Sequence, residues 1–278
     1  MPELPEVEVL RRSLEPRLLG DRIERVEVHT PALREPVDTA ALTRHARGRE
    51  VRELRRRGKY LLIDLEGGLE GGKTVVVHLG MSGRLTLVPG GTPLEPHEHV
   101  AFHLRSGRRL RLRDPRRFGV VFSLPTAEIP GDPHFAHLGV EPLEPGFSGE
   151  LLAREAAGRR GPVKPFLMDA TVVVGIGNIY ATETLFRAGV HPKRSVSRIS
   201  PRRWERVAEE AVRVLRKAIA EGGTTLNDFA DGEGRSGYFQ VSLGVYDRAG
   251  EPCPGCEGEI RRIVQAGRST FYCPRCQR

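Results

Sequence analysis

The four cysteines of this 278-residue chain lie close together as Cys253-x2-Cys256 and Cys273-x2-Cys276, with sixteen residues between the pairs. Two knuckles that each present two thiolates have the spacing of a tetrahedral zinc site. Pro254 and Gly255 in one knuckle, and Pro274 and Arg275 in the other, supply turn chemistry. Two disulfides or an iron–sulfur cluster are the competing readings; a reducing compartment disfavours the first, and the paired spacing favours zinc. Four thiolates leave the metal no open position, so the ion is expected to hold structure and not to do chemistry.

A second chemical feature opens the chain, Met1-Pro2-Glu3-Leu4-Pro5-Glu6. A small second residue permits removal of Met1, which leaves Pro2 with a free secondary amine. An α-amino group has a reference pKa near ~8, so part of it is neutral and nucleophilic at pH 7. Amine nucleophiles form Schiff bases with aldehyde carbons, and Glu3 and Glu6 stand close enough in sequence to trade protons. The plainer reading of the same residues, favoured by spacing alone, is a helix start in which the acids complement the dipole. His97-Glu98-His99 looks like a metal pair but has no third ligand of matching logic nearby. Gly175-x-Gly177 fails as a dinucleotide fingerprint because Tyr180 occupies the third glycine position.

The charge balance is 44 Lys+Arg against 36 Asp+Glu, or +8, and only five of the cations are lysines. Arginine suits phosphates and base edges, but codon bias explains the excess equally well. At 38% hydrophobic and 29% charged residues the chain is an ordinary globular protein, neither disordered nor fibrous. No apolar run approaches a membrane span, and the acidic N-terminus is not a signal peptide, so a cytoplasmic location is expected.

The elements that must position these groups fall into three parts. Val7, Leu10, Leu14 and Leu18 predict an amphipathic helix over 5–19, closed by Gly20. Alternating or β-branched stretches at Ile23–Val28, Tyr60–Leu65, Thr74–Leu79, Arg84–Leu87, Val100–Leu104, Arg109–Leu112 and Val120–Ser123 predict a sandwich or barrel. The proline-rich stretch 126–146 reads as a linker. Helices are expected at Gly149–Ala157, at Asn178–Ala188 and after the Ser200-Pro201 cap, the last ending at Gly222-Gly223. The glycines at 232, 234 and 237 suggest a mobile loop, and the cysteine module begins near Gln240.

Seven blocks in order then carry a resemblance. Met1-Pro2-Glu3-Leu4-Pro5-Glu6-Val7-Glu8, Arg57-Gly58-Lys59-Tyr60-Leu61, His78-Leu79-Gly80-Met81-Ser82-Gly83 and Asp114-Pro115-Arg116-Arg117-Phe118-Gly119 resemble the formamidopyrimidine-DNA glycosylase family. Gly175-Ile176-Gly177-Asn178-Ile179-Tyr180, Gly222-Gly223-Thr224-Thr225-Leu226 and Gly267-Arg268-Ser269-Thr270-Phe271-Tyr272-Cys273-Pro274 continue the likeness. The resemblance runs from residue 2 to residue 276. It implies an α+β fold: an N-terminal β-sandwich with a flanking helix over 1–135, a helix-two-turn-helix domain over 136–240, and a zinc-finger β-hairpin over 241–278. It implies 8-oxoguanine and formamidopyrimidine excision from double-stranded damaged DNA, with abasic-site lyase activity, by a monomer holding one structural Zn2+.

The resemblance also implies roles. Pro2 would attack C1′ of the damaged nucleotide, with Glu3 as its acid–base partner. Lys59 would assist at the site, although on the basic run from Arg55 it reads alone as a solvated lysine. Arg268, on the zinc hairpin, would serve the second elimination. Met81, Arg116 and Phe118 would fill the gap left by an extruded base, with Arg116 facing the orphan cytosine. His97, Arg160, Lys164 and Asn178 would contact phosphates, and the glycine-rich loop leading to Tyr238 would close over the extruded base. Val9 and Ala170 depart from the family pattern without touching the chemistry. One rival is an endonuclease VIII-like preference for oxidised pyrimidines, against which the Leu4–Val7 and Arg116–Phe118 stretches argue. The other is a non-catalytic zinc-ribbon DNA binder, against which Pro2, Glu3, Lys59 and Arg268 argue together.

Overall fold

The computed structural model describes residues 2–67, 71–223 and 243–278. By its internal contacts the chain divides into two compact units, residues 1–136 with 221–240 and residues 137–220 with 241–278. The expected glycine-rich loop at 232–237, and Tyr238 after it, lie outside the described residues.

In the first unit, helix α1 (Leu4–Leu18) buries Val7, Leu10, Leu14 and Leu18, the stripe expected from their spacing. Gly20 follows at φ +75°, a left-handed conformation that stops the helix with no Cβ to strain. Helix α2 (Thr39–Ala46) is capped by Asp38, whose carboxylate accepts from the amide of Ala41. Among the described residues eight strands form two antiparallel sheets here. They are β1 (Ile23–Val28), β2 (Val51–Arg57), β3 (Tyr60–Leu65), β4 (Lys73–His78), β5 (Arg84–Pro89), β6 (Glu98–Leu104), β7 (Arg108–Arg113) and β8 (Val120–Pro125). One sheet runs in the order β1-β6-β7-β5 and the other in the order β2-β3-β4-β8.

Alternate residues of both sheets, such as Leu61, Ile63, Val75 and Val77 from one and Phe102, Leu104, Leu110 and Leu112 from the other, join α1 and α2 in one apolar core. The expected sandwich is present. Strand β2 and helix α2 were not expected: β2 buries only Val51 and Leu54 and otherwise carries charge, so it has no apolar alternation. Thr126–Gly131, inside the expected linker, forms a 3-10 turn.

The second unit is helical, with a terminal hairpin. Helix α3 (Gly149–Ala156) is capped by Ser148, which accepts from the amide of Leu151 at 3.1 Å. Helix α4 (Val163–Leu167) is one turn long. The amides of Val172 and Val173 then donate to the carbonyl of Asp169, and Gly175 turns at φ +83° into α5 (Asn178–Ala188). Gly189 ends α5 in the left-handed conformation. Helix α6 (Pro201–Ala220) buries Trp204, Val207, Ala211, Val214, Leu215 and Ala218, and Trp204 packs on Phe166 with ring centroids 5.4 Å apart. Strands β9 (Arg261–Gln265) and β10 (Arg268–Tyr272) pair antiparallel. Among the described residues no helix is long and apolar enough to cross a membrane.

Candidate active site

Pro2 and Glu3 sit, buried, at the start of α1. Glu3 is the N-cap, and its amide donates to Oε2 of Glu6 at 2.8 Å, so the first turn is closed by its own acid. The sequence left helix start and chemistry as alternatives; the fold makes them compatible, because the capped turn fixes the backbone that carries Pro2. Further along α1, Glu8 accepts from Arg11, Arg12 and Arg56 at 3.0, 2.7 and 3.3 Å. Arg56 belongs to β2, so this cluster ties α1 to the strand that leads to Lys59. Burial pushes the Glu8 carboxyl up, and the arginines more than offset that, leaving it below the ordinary range.

Lys59 occupies a two-residue turn between Arg57 and Tyr60, which pair across β2 and β3. Gly58 stands first in the turn at φ +56°, a position that favours glycine in tight hairpins. Behind the turn His78 packs on Tyr60 at 4.8 Å and accepts at Nδ1 from the amide of Gly80 at 3.1 Å. Burial, helped by the positive charges of Lys59 and Arg34, pushes His78 down to about 4. The ring is therefore neutral at pH 7.

Met81, Arg116 and Phe118 come together on two loops. Met81 is 37% exposed and Phe118 41%, which is unusual for large apolar side chains, and the Arg116 guanidinium lies 4.9 Å from the centre of the Phe118 ring. Both loops are fastened to the buried carboxylate of Asp114. Ser82 Oγ donates to Oδ1 at 2.7 Å, Arg116 N to the same oxygen at 3.3 Å, and Gly119 N to Oδ2 at 2.7 Å. The His97-Glu98-His99 triplet splits. His97 is exposed at φ +68°, whereas His99 is buried with Nε2 against the carbonyl oxygen of Asp114 at 2.8 Å. His97 precedes β6 in a left-handed conformation at the surface while His99 is buried with its ring engaged, and among the described residues only the four cysteines group as a metal site, so the triplet is not a metal pair.

In the second unit Lys164 is 1% exposed. Its ammonium donates to Asn178 Oδ1 at 2.6 Å, Thr270 Oγ1 at 2.7 Å and the carbonyl of Ser269 at 3.3 Å. Asn178 Nδ2 donates to Ser269 O at 3.0 Å and to the Tyr246 hydroxyl at 3.4 Å. Lys164 and Asn178, expected at phosphates, here bind each other and the terminal hairpin. Arg160 lies exposed, apart from this network. Arg268 is exposed directly after the β9–β10 turn, whose two residues, Ala266 and Gly267, have φ of +47° and +72°.

The thiols of Cys253, Cys256, Cys273 and Cys276 lie within 4.8 Å of one another. The closest pairs, Cys256–Cys273 and Cys253–Cys276, are 3.4 and 3.8 Å apart. That is far longer than a disulfide and close to the ~3.8 Å edge of a tetrahedron with Zn–S bonds of about 2.3 Å. The four residues fit one structural zinc ion. Glu183, which the sequence did not single out, anchors the same module to α5, its carboxylate accepting from the amides of Gly244, Val245 and Tyr246 at 2.8, 3.0 and 2.9 Å. Asp114 and Glu183 were missed for one reason: a buried acid satisfied by backbone amides has no signature in composition or spacing. His78 stood inside a quoted block without a role.

Comparison with known proteins places these features. Residues 1–121 match the family model described as formamidopyrimidine-DNA glycosylase N-terminal domain, residues 138–230 the H2TH domain, and residues 250–278 the zinc finger found in FPG and IleRS. The chain is 49% identical over 282 residues to the formamidopyrimidine-DNA glycosylase of Burkholderia multivorans, covering all of both. It superposes on the MutM (FPG) protein of Thermus thermophilus with a TM-score of 0.88 at 38% identity, over 99% of this chain and 98% of that one. A Lactococcus lactis FPG mutant, solved with a Fapy-dG containing DNA, gives a TM-score of 0.91 at 32% identity over the whole of both chains.

Proposed function

The chain belongs to the formamidopyrimidine-DNA glycosylase family, and from that premise we propose how its own residues carry the reaction. It is a zinc-containing DNA glycosylase and abasic-site lyase of base excision repair, acting on oxidised purines in damaged DNA. The observation that supports the residue assignment best is the capped first turn of α1, which holds Pro2 and Glu3 together.

On this reading Met1 is removed and the secondary amine of Pro2 attacks C1′ of the damaged nucleotide. The C1′–N bond breaks and the base leaves with its electron pair and a proton. Glu3 delivers a proton to O4′ as the C1′–O4′ bond opens, leaving a cationic iminium between Pro2 and C1′. Loss of a C2′ proton expels the 3′ phosphate, and a second elimination, served by Arg268, expels the 5′ phosphate. Hydrolysis of the remaining iminium by water frees Pro2. Lys59, at its hairpin tip, and exposed His97 and Arg160 contact phosphates. Asn178 and Lys164 hold helix α5 and the zinc hairpin in the arrangement that grips DNA. Met81 and Phe118 enter the stack and Arg116 faces the orphan base.

Residues 1–135 form the catalytic part, 136–240 the helix-two-turn-helix part and 241–278 the zinc finger. The protein works as a monomer in the bacterial cytoplasm.

The test is single-turnover incision of duplexes carrying 8-oxoguanine opposite cytosine or thymine glycol opposite adenine. Faster incision of the first duplex is expected. Faster incision of the second would move the protein to the endonuclease VIII-like preference. Binding without incision of either would overturn the enzymatic assignment.

A further inference from the structure

Met81 and the Arg116–Phe118 segment are more than thirty residues apart in sequence, yet one carboxylate serves both loops. Asp114 is fully buried, and it is held from behind: its amide donates to the carbonyl of His97 at 2.9 Å, and its carbonyl oxygen lies 2.8 Å from Nε2 of His99. From that fixed position Oδ1 faces Ser82, the neighbour of Met81, and Oδ2 faces Gly119, the neighbour of Phe118. Arg116 N is shared, 3.3 Å from Oδ1 and 3.3 Å from Ser82 Oγ. The loops also meet backbone to backbone. A Cβ on Gly80, itself at φ +61°, would fall 2.3 Å from the carbonyl carbon of Phe118, so glycine alone permits this approach.

We propose that Asp114 is the positioning residue of the wedge, its carboxylate fixing Met81, Arg116 and Phe118 in one geometry that sets excision from stacked DNA and the choice of opposite base. This rests on the reading that these three side chains replace an extruded base. Two exposed apolar groups and an exposed guanidinium sit on loops, and a side chain that must enter a base stack gains by being held ready beforehand. Asp114 touches neither base nor sugar and acts through the loops. Asp114→Asn keeps the size but places an N–H2 against one of the donors. Ser82 can turn its hydroxyl and accept, whereas the amides of Arg116 and Gly119 cannot.

The experiment compares wild type, Asp114→Asn, Ser82→Ala and Phe118→Ala on three substrates. These are 8-oxoguanine opposite cytosine, 8-oxoguanine opposite adenine, and a preformed abasic site in single-stranded DNA, which has neither a base to extrude nor an orphan. Losing a hydrogen bond to a charged group predicts excision opposite cytosine slower by roughly 10- to 100-fold in Asp114→Asn. The preference for cytosine over adenine should narrow, and cleavage of the single-stranded abasic site should stay within about twofold. Ser82→Ala should move the same way by less, and it carries the test if Asp114→Asn does not fold. Equal slowing on all three substrates, or unchanged excision and preference, would overturn the proposal. Phe118→Ala tells its failure from that of the wedge reading. Wild-type excision by Phe118→Ala removes both, whereas slow Phe118→Ala beside wild-type-like Asp114→Asn removes only the role of Asp114.

Discussion

Lys164 Nζ donates to Asn178 Oδ1 at 2.6 Å, and the same ammonium reaches Thr270 and Ser269 on β10. One buried cation therefore joins α4, α5 and the strand that begins with Arg268. Lys164→Met should weaken DNA binding by unfastening the hairpin, without removing a phosphate contact. Each phosphate contact contributes about 0.9 to the slope of log K against log salt, so binding titrated by anisotropy from 50 to 200 mM salt separates the two roles. Weaker binding at an unchanged slope is expected; a slope reduced by about one would make Lys164 a direct phosphate ligand.

Zinc removal should act on the same hairpin from its other end. With the four thiolates released, β9–β10 loses the constraint that fixes Arg268, while the sandwich of residues 1–136 keeps its own core. Chelation is expected to abolish DNA binding before it lowers the strand signal in circular dichroism. Metal-free protein with unaltered affinity would contradict this. Arg268→Gln should leave base release nearly intact and stop strand cleavage after the first elimination, read at the 3′ end of the strand upstream of the gap, which keeps an unsaturated sugar fragment in place of a phosphate.

Much of this fold was legible because apolar periodicity and fold coincide: the stripe of Val7, Leu10, Leu14 and Leu18 names α1, and Asn178–Ala188 emerges with the expected bounds. The zinc site was legible because thiolate spacing is itself the chemistry. Strand β2 was not, since its arginines find partners elsewhere, Arg56 on Glu8 and Arg55 on Asp64. The burial of Lys164 was not legible for a related reason: lysine is rarely buried unless paired, and its partners lie as far as 106 residues away.

Met81 and Phe118 are exposed, so their loss should leave stability within about 0.5 kcal/mol of wild type. Unstacking a base costs a few kcal/mol, so Phe118→Ala should slow excision from duplex DNA by about 10-fold or more while its melting temperature holds. A melting temperature that falls with activity would place Phe118 in the packing of the sandwich instead.

Stability should respond to acid in two stages. Burial and neighbouring positive charges hold His78 down at about 4, and burial also lowers His45, His103 and His191. The unfolded chain takes up these protons near its ordinary 6.5 while the folded protein refuses them, so stability falls as pH drops from 6.5 toward 4. Glu8 and Asp21 are themselves lowered. Burial opposes this, and it is outweighed by Arg11, Arg12 and Arg56 at Glu8 and by Ser106, Arg22 and Arg108 at Asp21. Their contribution is full above the ordinary carboxylate range and is lost as pH falls through their lower folded values. Urea midpoints should be flat above pH 7, decline below 6.5 and fall faster below about 4.5. His78→Gln should lessen the first decline and leave the second; an unchanged first decline would contradict the role given to burial at His78.

On the proposed mechanism Pro2 itself becomes bonded to the sugar. Borohydride added during reaction with an 8-oxoguanine:cytosine duplex should reduce the iminium to a stable amine. Peptide mass analysis should place the trapped deoxyribose on an N-terminal Pro2 from which Met1 is absent. An adduct on Lys59 or any other lysine, or efficient strand cleavage by protein that retains Met1, would contradict it.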